Sequence, residues 1–436
     1  MRLLLIVPAT LENRRKRRKA ICPPLGLAMV AALTPSDVEV ALVDENATDL
    51  DLDQPVDLVG ISTLTFTAQR AYEIADAFRA RGVSVVMGGI HASSMPDEAS
   101  QHCDAIVIGE AEQSWPQLIA DFRAGRLQKS YRQDGRPGLD QLPLPRRDLF
   151  DRRAYFFNNM VSTSRGCPHG CDFCSVTSYF GKHFRCRPIP EIVREIEALD
   201  RKEMVVFVDD NIIGNHAFAK ELFRALIPLK IRWAGQTSVT VAKDNQLLEL
   251  AAASGCQALL IGFETLSQDN LLAMGKRVNR VDEYAAVIDK VHRHGIALHG
   301  FFIVGLDHDD EEVFASTVRF ARQMRIESAM FSWPVPYPGT ALCHALEQSG
   351  RVVTKDWSQY EANPVYEPKH MTRERLKQGN DWAWREFYSL RSIFSRVGLA
   401  RRNALPLWAI NLSFRSAWRE DNRSGGFMTP RFLAPC

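Results

Sequence analysis

No stretch of the 436 residues approaches the roughly 18 consecutive apolar residues that a membrane helix needs. The sequence alone therefore calls for no spanning segment. Charge of one sign is also missing: 54 Lys and Arg stand against 52 Asp and Glu, a formal +2. A dedicated nucleic-acid binder carries a basic excess, so no nucleic-acid partner is expected. Cysteine is sparse, nine in a chain this long, which cannot staple a disulfide scaffold and points to a reducing compartment. The start, Met1-Arg2-Leu3-Leu4-Leu5-Ile6-Val7-Pro8, reads as a short strand rather than a signal peptide, and a cytoplasmic location is expected. What is abundant is core material: 46% hydrophobic and 24% charged residues allow two or three domains, each with its own core.

Over residues 1–125 short apolar runs alternate with helical stretches. Strands are expected at Leu3–Val7, Val38–Val43, Leu58–Ile61, Val83–Met87 and Ala105–Ile108, with helices at Gly26–Leu33, Ala68–Arg81 and from about Gln113. Five parallel strands with intervening helices make a Rossmann-like α/β domain. Polar residues and glycines gather where these strands end, in Ser62-Thr63-Leu64-Thr65, Gly88-Gly89-Ile90-His91 and Gly109-Glu110. Open α/β sheets bind ligands at that edge, and glycine lets a flat or phosphate-bearing ligand approach the backbone. The loop after the first strand carries six like charges, Arg14 to Lys19. It reads as a solvated loop, with an anion clamp or contact with a lipid surface as the functional alternative.

Residues 126–158, rich in Pro, Arg and Asp, show no sustained period and read as a linker. The following segment, Ser164-Arg165-Gly166-Cys167-Pro168-His169-Gly170-Cys171-Asp172-Phe173-Cys174, places three cysteines within eight residues as C-x3-C-x2-C. Three such thiolates can each bind one iron of a 4Fe-4S cubane and leave the fourth iron open. An open iron can chelate the amino and carboxylate groups of S-adenosylmethionine (SAM) and pass an electron into the sulfonium. Structural zinc with His169 or His183 as fourth ligand competes, but no second Cys or His pair follows at the spacing closed zinc sites use. Strand-like runs then recur at Met204–Val208, Ile231–Gln236, Ala258–Phe263, Ala297–Val304 and Ser328–Val335, after a helix at Glu191–Leu199. With the strand leading into the cysteines they make six β/α units, with chemistry expected at the strands' C-terminal ends. Gln236 and Ser238 end one strand; Glu264 ends the next, where its carboxylate can accept from an ammonium or ribose hydroxyl or serve a structural ion pair.

The cysteine spacing, with Phe173 just before the last cysteine, resembles the radical SAM superfamily, whose partial (β/α)6 TIM-like barrel this would be. The Ser62-x-Leu64 and Gly88-Gly89 segments and Pro23 to Leu27 resemble cobalamin-binding domains. Together, over roughly residues 1–395, the order resembles cobalamin-binding radical SAM enzymes of the hopanoid-modifying and natural-product methylase groups. That resemblance implies cobalamin held by Ser62, Leu64, Thr65, Gly88, Gly89, His91, Gly109 and Glu110, without an axial histidine. The Asp-x-His-x-x-Gly signature is replaced by Val7-Pro8-Ala9-Thr10-Leu11-Glu12. It implies SAM contacts from Phe173, Asp209, Asp210, Asn211 and, against adenine, Ile303; cluster ligation by Cys167, Cys171 and Cys174; and a radical-facing Tyr337 that otherwise reads as packing. A small-molecule or lipid substrate and a flavodoxin- or ferredoxin-type reductant follow by the same route.

The barrel is expected over 159–345 and a helical cap and tail over 346–436, with one helix at Arg373–Phe394 whose aromatics read chiefly as packing, and a final stretch from Arg401 to the terminal Cys436 that includes a loose tail. Methyl transfer leads. Rearrangement, cyclisation or transfer of another SAM fragment without cobalamin stays open, as does a cobalamin or redox sensor. A tRNA methylthiolase would bring a second cysteine triad, whereas only Cys22 and Cys103 precede the barrel.

Overall fold

The computed structural model describes residues 1–10, 20, 22–133, 135–360, 362–398 and 404–423, the side chains of 420–423 excepted. The basic run Arg14 to Lys19 and Cys436 lie outside the described residues. Among those described, no helix is long and apolar enough to cross a membrane.

The N-terminal sheet contains β1 (Arg2–Val7), β2 (Glu39–Asp44), β3 (Leu58–Ser62), β4 (Ser84–Gly88), β5 (Ala105–Ile108) and β6 (Ser130–Arg132). All are parallel, in the order β2-β1-β3-β4-β5-β6. The order reverses between β1 and β3, which opens a crevice at the strands' C-terminal ends. β1 and β3 are apolar almost throughout because α1 (Leu25–Ala32) and α3 (Ser114–Arg123) cover one face and α2 (Ala68–Ala80) the other. The five expected strands are present, and β6 is a correction drawn from the stretch read as linker. Three residues show no period of their own. Register with β5 and the buried Tyr131, whose hydroxyl donates to Asp121 Oδ2 at 3.2 Å, make them a strand.

The second sheet is also parallel, in the order β14-β13-β12-β11-β10-β7. Its strands are β7 (Asn159–Val161), β10 (Val205–Phe207), β11 (Trp233–Thr237), β12 (Cys256–Glu264), β13 (Ala297–Ile303) and β14 (Ser328–Ser332). Between β7 and β10 lies a two-stranded antiparallel hairpin, β8 (Ser164–Arg165) and β9 (Arg185–Cys186), which brackets the cysteine loop and α4 (Ser175–Phe180). The six expected β/α strands are thus present, followed in turn by α5 (Ile189–Glu197), α6 (His216–Leu226), α7 (Asn245–Ala253), α8 (Tyr284–Arg293), α9 (Glu312–Gln323) and α10 (Ala341–Gln348). β14 is a free edge, where unpaired backbone groups need other partners.

The C-terminal helices close that edge. The expected single helix is two, α11 (Arg373–Phe387) and α12 (Leu390–Val397), because Ser389 turns the chain and caps α12 by accepting from Ser392 N. Part of the final stretch forms α13 (Ala404–Arg423), and residues 424–436, which the loose tail was expected to include, lie outside the described residues. Trp384 Nε1 donates to Phe331 O at 2.8 Å and the Tyr388 hydroxyl to Ala329 O at 2.7 Å, so two aromatics of α11 serve the β14 edge while filling the core. Arg396 completes the closure. Its guanidinium, 3.6 Å from the Phe387 ring centroid, donates to the carbonyls of Ile326, Glu327 and Phe387 and to Asn411 Oδ1. Burial holds its pKa down, at about 9.

Replacing Arg396 removes a donor from four buried acceptors at once, although Glu327 O keeps Asn411 Nδ2. Arg396→Met is expected to lower unfolding free energy by about 2–4 kcal/mol, read as a shifted urea midpoint. A midpoint within experimental error of the parent would contradict the bracing role.

Candidate active site

The cysteine loop is shaped before any ligand arrives. Gly166 has φ +86°, and a Cβ there would sit 2.4 Å from His183 O, so only glycine lets β8 turn into Cys167 against β9. From the other side Asp172 N donates to Met274 O at 3.1 Å, and Leu342 N donates to Asp172 O at 2.9 Å. The loop is thereby tied to the segments after β12 and β14. Cys167, Cys171 and Cys174 line one cavity of about 350 Å³. Among the described residues no three His, Cys, Asp or Glu side chains converge on a single-ion site. Three thiolates from one short loop, each able to take a separate iron, suit a cubane. Burial pushes the Cys171 thiol up to about 12 and also raises Cys167 and Cys174. Cluster binding must therefore expel protons that the bare loop retains.

A cation stands ready for that charge. Lys276 Nζ lies 5.9 Å from the Phe173 ring centroid and pairs with Glu264 Oε1. Burial opposes its charge, but Glu264 and Cys171 outweigh it and hold Lys276 protonated. Glu264 itself has φ +68°, a left-handed backbone at the end of β12 where register with β13 shifts. Asn279 Nδ2 steadies the turn by donating to Gly262 O at 2.9 Å and Phe263 O at 3.1 Å. Strain of this kind in a non-glycine residue persists only where surroundings over-determine it, and such places cluster at functional sites.

The strand ends divide the expected SAM residues. Asp210, Asn211, Gln236, Ser238, Glu264, Ile303, Phe173 and Tyr337 all line the cavity. Asp209 does not. It is fully buried behind the cavity wall, accepting from Thr163 N at 3.1 Å, Thr163 Oγ1 at 2.8 Å and Ser164 Oγ, so it anchors the β7–β8 turn instead of facing a ligand. Burial, with Asp209 second, pushes Asp210 up to about 7. Asn211 Oδ1 and Thr237 Oγ1 are buried without a hydrogen-bond partner, and both residues line the cavity. Such orphaned acceptors fit a polar ligand.

Two further wall residues escaped the sequence reading. Lys276 lies twelve residues beyond Glu264, with no spacing to mark it. Asn380 of α11 is fully buried in the cavity wall with both amide atoms unpartnered. The α11 pattern offered Asn380 only as a polar residue on an inward face.

The remaining wall comes from the N-terminal domain: Leu64, Thr65 and Phe66 after β3, and Ile90 after β4. A second cavity of about 210 Å³ runs from Ser62, Gly88, Gly89, Gly109 and Glu110 under α1 and α3 to Arg165 and Tyr179. No heavy atom beyond its chain neighbours lies within 4 Å of where a Cβ on Gly109 would stand, so a ligand can approach the backbone at this strand end. Gly89 is glycine for another reason: at φ +94° its Cβ would meet Thr63 N at 2.8 Å. His91 faces neither cavity. Its ring is buried between the Tyr72 hydroxyl at 3.0 Å and Thr65 Oγ1 at 3.3 Å, with Trp357 edge-on, and so supports Thr65 from behind. Glu110 is committed to ion pairs with Arg165 and Arg185, the two strands of the hairpin. The donor sets thus fit a three-cysteine cluster beside a polar SAM site, with a glycine-lined cavity on the facing edge where cobalamin would approach. Bound there, the cluster supplies an electron for SAM cleavage and cobalamin a methyl carrier.

Comparison with known proteins agrees with this layout. The radical SAM superfamily model matches residues 161–321, and the B12 binding domain model matches residues 15–119. The chain is 34% identical over 406 residues to the bacteriochlorophyllide d C-12(1)-methyltransferase of Chlorobaculum tepidum, covering 90% of this chain and 89% of that one. Against the hopanoid C-2 methylase of Rhodopseudomonas palustris identity is 27% over 352 residues, covering 77% and 66%. Among solved structures, the radical SAM methyltransferase TsrM from Kitasatospora setae, with cobalamin and a 4Fe-4S cluster bound, aligns at TM-score 0.64 and 19% identity. That alignment covers 81% of this chain and 79% of TsrM, and at this identity it speaks for the fold.

Two outcomes are expected. Cys167→Ala, Cys171→Ala or Cys174→Ala each abolishes cluster assembly, read as iron content and cluster absorbance after anaerobic reconstitution; full iron in any one would contradict the ligand set. Asp210 is neutral below its raised pKa and anionic above it, so affinity for cationic SAM should rise from about pH 6 to about pH 8. Equilibrium dialysis should show that rise flattened in Asp210→Asn.

Proposed function

The chain belongs to the B12-binding radical SAM methyltransferases, a family that uses a 4Fe-4S cluster, SAM and cobalamin, and we propose from the cavity walls what its residues do and what it methylates. The observation that carries the reading is one cavity with the three cysteines on one wall and Leu64, Thr65 and Phe66 of the cobalamin-type edge on another. Methyl transfer to an unactivated carbon needs both reactive groups to reach one substrate with water kept out.

Cys167, Cys171 and Cys174 hold the cluster, and Lys276 offsets its negative charge. Asp210, Asn211, Gln236, Ser238 and Glu264 form the polar rim that takes the amino, carboxylate and ribose groups of SAM, with Ile303 and Phe301 against the adenine. Ser62, Leu64, Thr65, Gly88 and Gly109 receive cobalamin, with Glu110 and His91 bracing that edge. Tyr337 lines the chamber from the loop after β14. Beyond the rim the wall is apolar, formed by Met330, Phe331, Trp333 and Val335, and interrupted by the unpartnered amide of Asn380. The substrate this suits is a small metabolite or lipid with a largely apolar skeleton and one carbonyl or hydroxyl for Asn380 to orient. Apolar tetrapyrroles and polycyclic lipids have that character, and the relatives' names fall in those classes. A flavodoxin- or ferredoxin-type protein supplies electrons, no nucleic acid takes part, and the free cysteines suit the reducing cytoplasm.

The test is anaerobic: reconstitute the protein, add hydroxocobalamin, desalt, reduce with SAM present, then record bound cobalamin and chromatograph the nucleosides. Retained cobalamin with both 5′-deoxyadenosine and S-adenosylhomocysteine is expected. Deoxyadenosine without retained cobalamin would overturn the cobalamin assignment and favour rearrangement, cyclisation or transfer of another SAM fragment.

A further inference from the structure

The C-terminal helices carry an outward face that closing the barrel does not explain. Inward, α12 and α13 are fully engaged: Ile393, Arg396 and Val397 are buried, as are Asn411 and Phe414. Outward, Leu390 is 54% exposed, Phe394 56% and Leu405 84%, and Leu412 is exposed one helical repeat further on. The Phe394 and Trp408 rings meet edge-on with centroids 6.4 Å apart, which joins the outer faces of the two helices into one apolar surface. Scattered exposed leucines need no explanation, whereas a contiguous patch on adjoining helices does.

Charge identifies the occupant. Between Glu386 and Glu420 the chain has six arginines and no acidic residue. Arg396 is consumed internally. Arg391 and Arg419 are exposed, and Arg415 donates to Tyr388 O; among the described residues none of these three pairs with a carboxylate. Burial, and second to it the neighbouring Arg419, hold the Arg415 pKa below its usual value. An apolar face flanked by arginines that meet no carboxylate among the described residues, on a helix too polar to span, is the pattern of a segment lying in a bilayer interface. A soluble partner would bring carboxylates to meet the arginines but would gain little from Leu405 standing almost fully clear of the surface. A second copy would set the arginines against one another.

We propose that α12 and α13 form a docking surface for an anionic lipid bilayer, with Leu390, Phe394, Leu405 and Leu412 entering the headgroup boundary and Arg391, Arg415 and Arg419 pairing with lipid phosphates. α11, α12 and α13 pack on β14, and β14 residues Met330, Phe331 and Ser332 line the cavity. Docking there brings the bilayer to the side of the barrel that the C-terminal helices close. The proposal stands independently of which molecule is methylated.

The test is flotation of the full-length, cluster-reconstituted protein with two vesicle preparations, phosphatidylcholine alone and phosphatidylcholine with about one third phosphatidylglycerol. Association with the anionic vesicles only, weakened by high salt, is expected. Leu405→Asp with Phe394→Asp should reduce partitioning by about tenfold or more, and Arg391→Gln with Arg419→Gln by roughly fivefold per charge. Both variants should keep parental cluster absorbance and melting temperature, since the altered side chains point outward. If the apolar pair fails to fold, the arginine pair carries the test. No association with either preparation, or equal association with both, overturns the proposal. So does a parental dimer that Leu405→Asp dissolves, which would make the face an interface between copies. Because no turnover is read, an inactive preparation leaves the result intact.

Discussion

Two arginines on one hairpin and two glutamates on one strand end hold the two halves of the site in register. Glu110, at the end of β5, pairs with Arg165 on β8 and with Arg185 on β9 at 2.6 Å, and Glu112 takes the other arm of Arg165. Burial works against the Arg165 charge, but Glu112 and Glu110 outweigh it, so the guanidinium stays ionised. The hairpin they grip contains Gly166 and ends in the cysteine loop. Tyr179, on the helix that follows the cysteines, donates to Gly109 O at 2.7 Å and adds a neutral tie. A charge-assisted buried network is costly to break and directional. The distance between the cluster wall and the corrin-type edge is therefore set by these contacts rather than by a linker.

The partial barrel creates its own difficulty, because β14 is an open edge beside a chamber that must exclude water. Side chains of the C-terminal helices solve it one backbone group at a time. Tyr388 both donates to Ala329 O and accepts from Ala329 N at 3.1 Å, Trp384 serves Phe331 O, and Arg396 and Asn411 serve the turn at Glu327. The same helix that closes the edge brings Asn380 into the cavity. Closure of the fold and polarity of the substrate chamber are two effects of one element. At the opposite end Trp357 Nε1 donates to Glu98 at 2.7 Å, linking the post-barrel segment to the Tyr72–His91 pair behind Thr65.

What sequence reading could and could not see follows the range of the forces involved. The cysteine loop was legible because its ligands are close in the chain and its conformation rests on an adjacent glycine. Both parallel sheets were legible because strands buried on two faces must be continuously apolar. Asp209 and Asp210 were not separable: neighbours at a strand end point to opposite sides, and only the position of Thr163 and Ser164 decides which one is taken inside. His91 follows the same logic, since Tyr72 and Trp357, distant in sequence, claim its ring. β6 was hidden because three residues have no period, and the break at Ser389 because one polar residue leaves the helical apolar pattern on either side in place.

The sequence by itself determined the spacing of the cysteine loop, the class of both domains and the polar strand ends that line the cavities. Those depend on covalent spacing and on the local alternation of apolar and polar residues. Only the tertiary structure decided which polar residues face the cavity, which cation answers the thiolates, and which wall carries the amide of Asn380. Each of those depends on the meeting of segments tens to hundreds of residues apart, and no local pattern encodes the partner that a buried charge or hydrogen-bonding group will find.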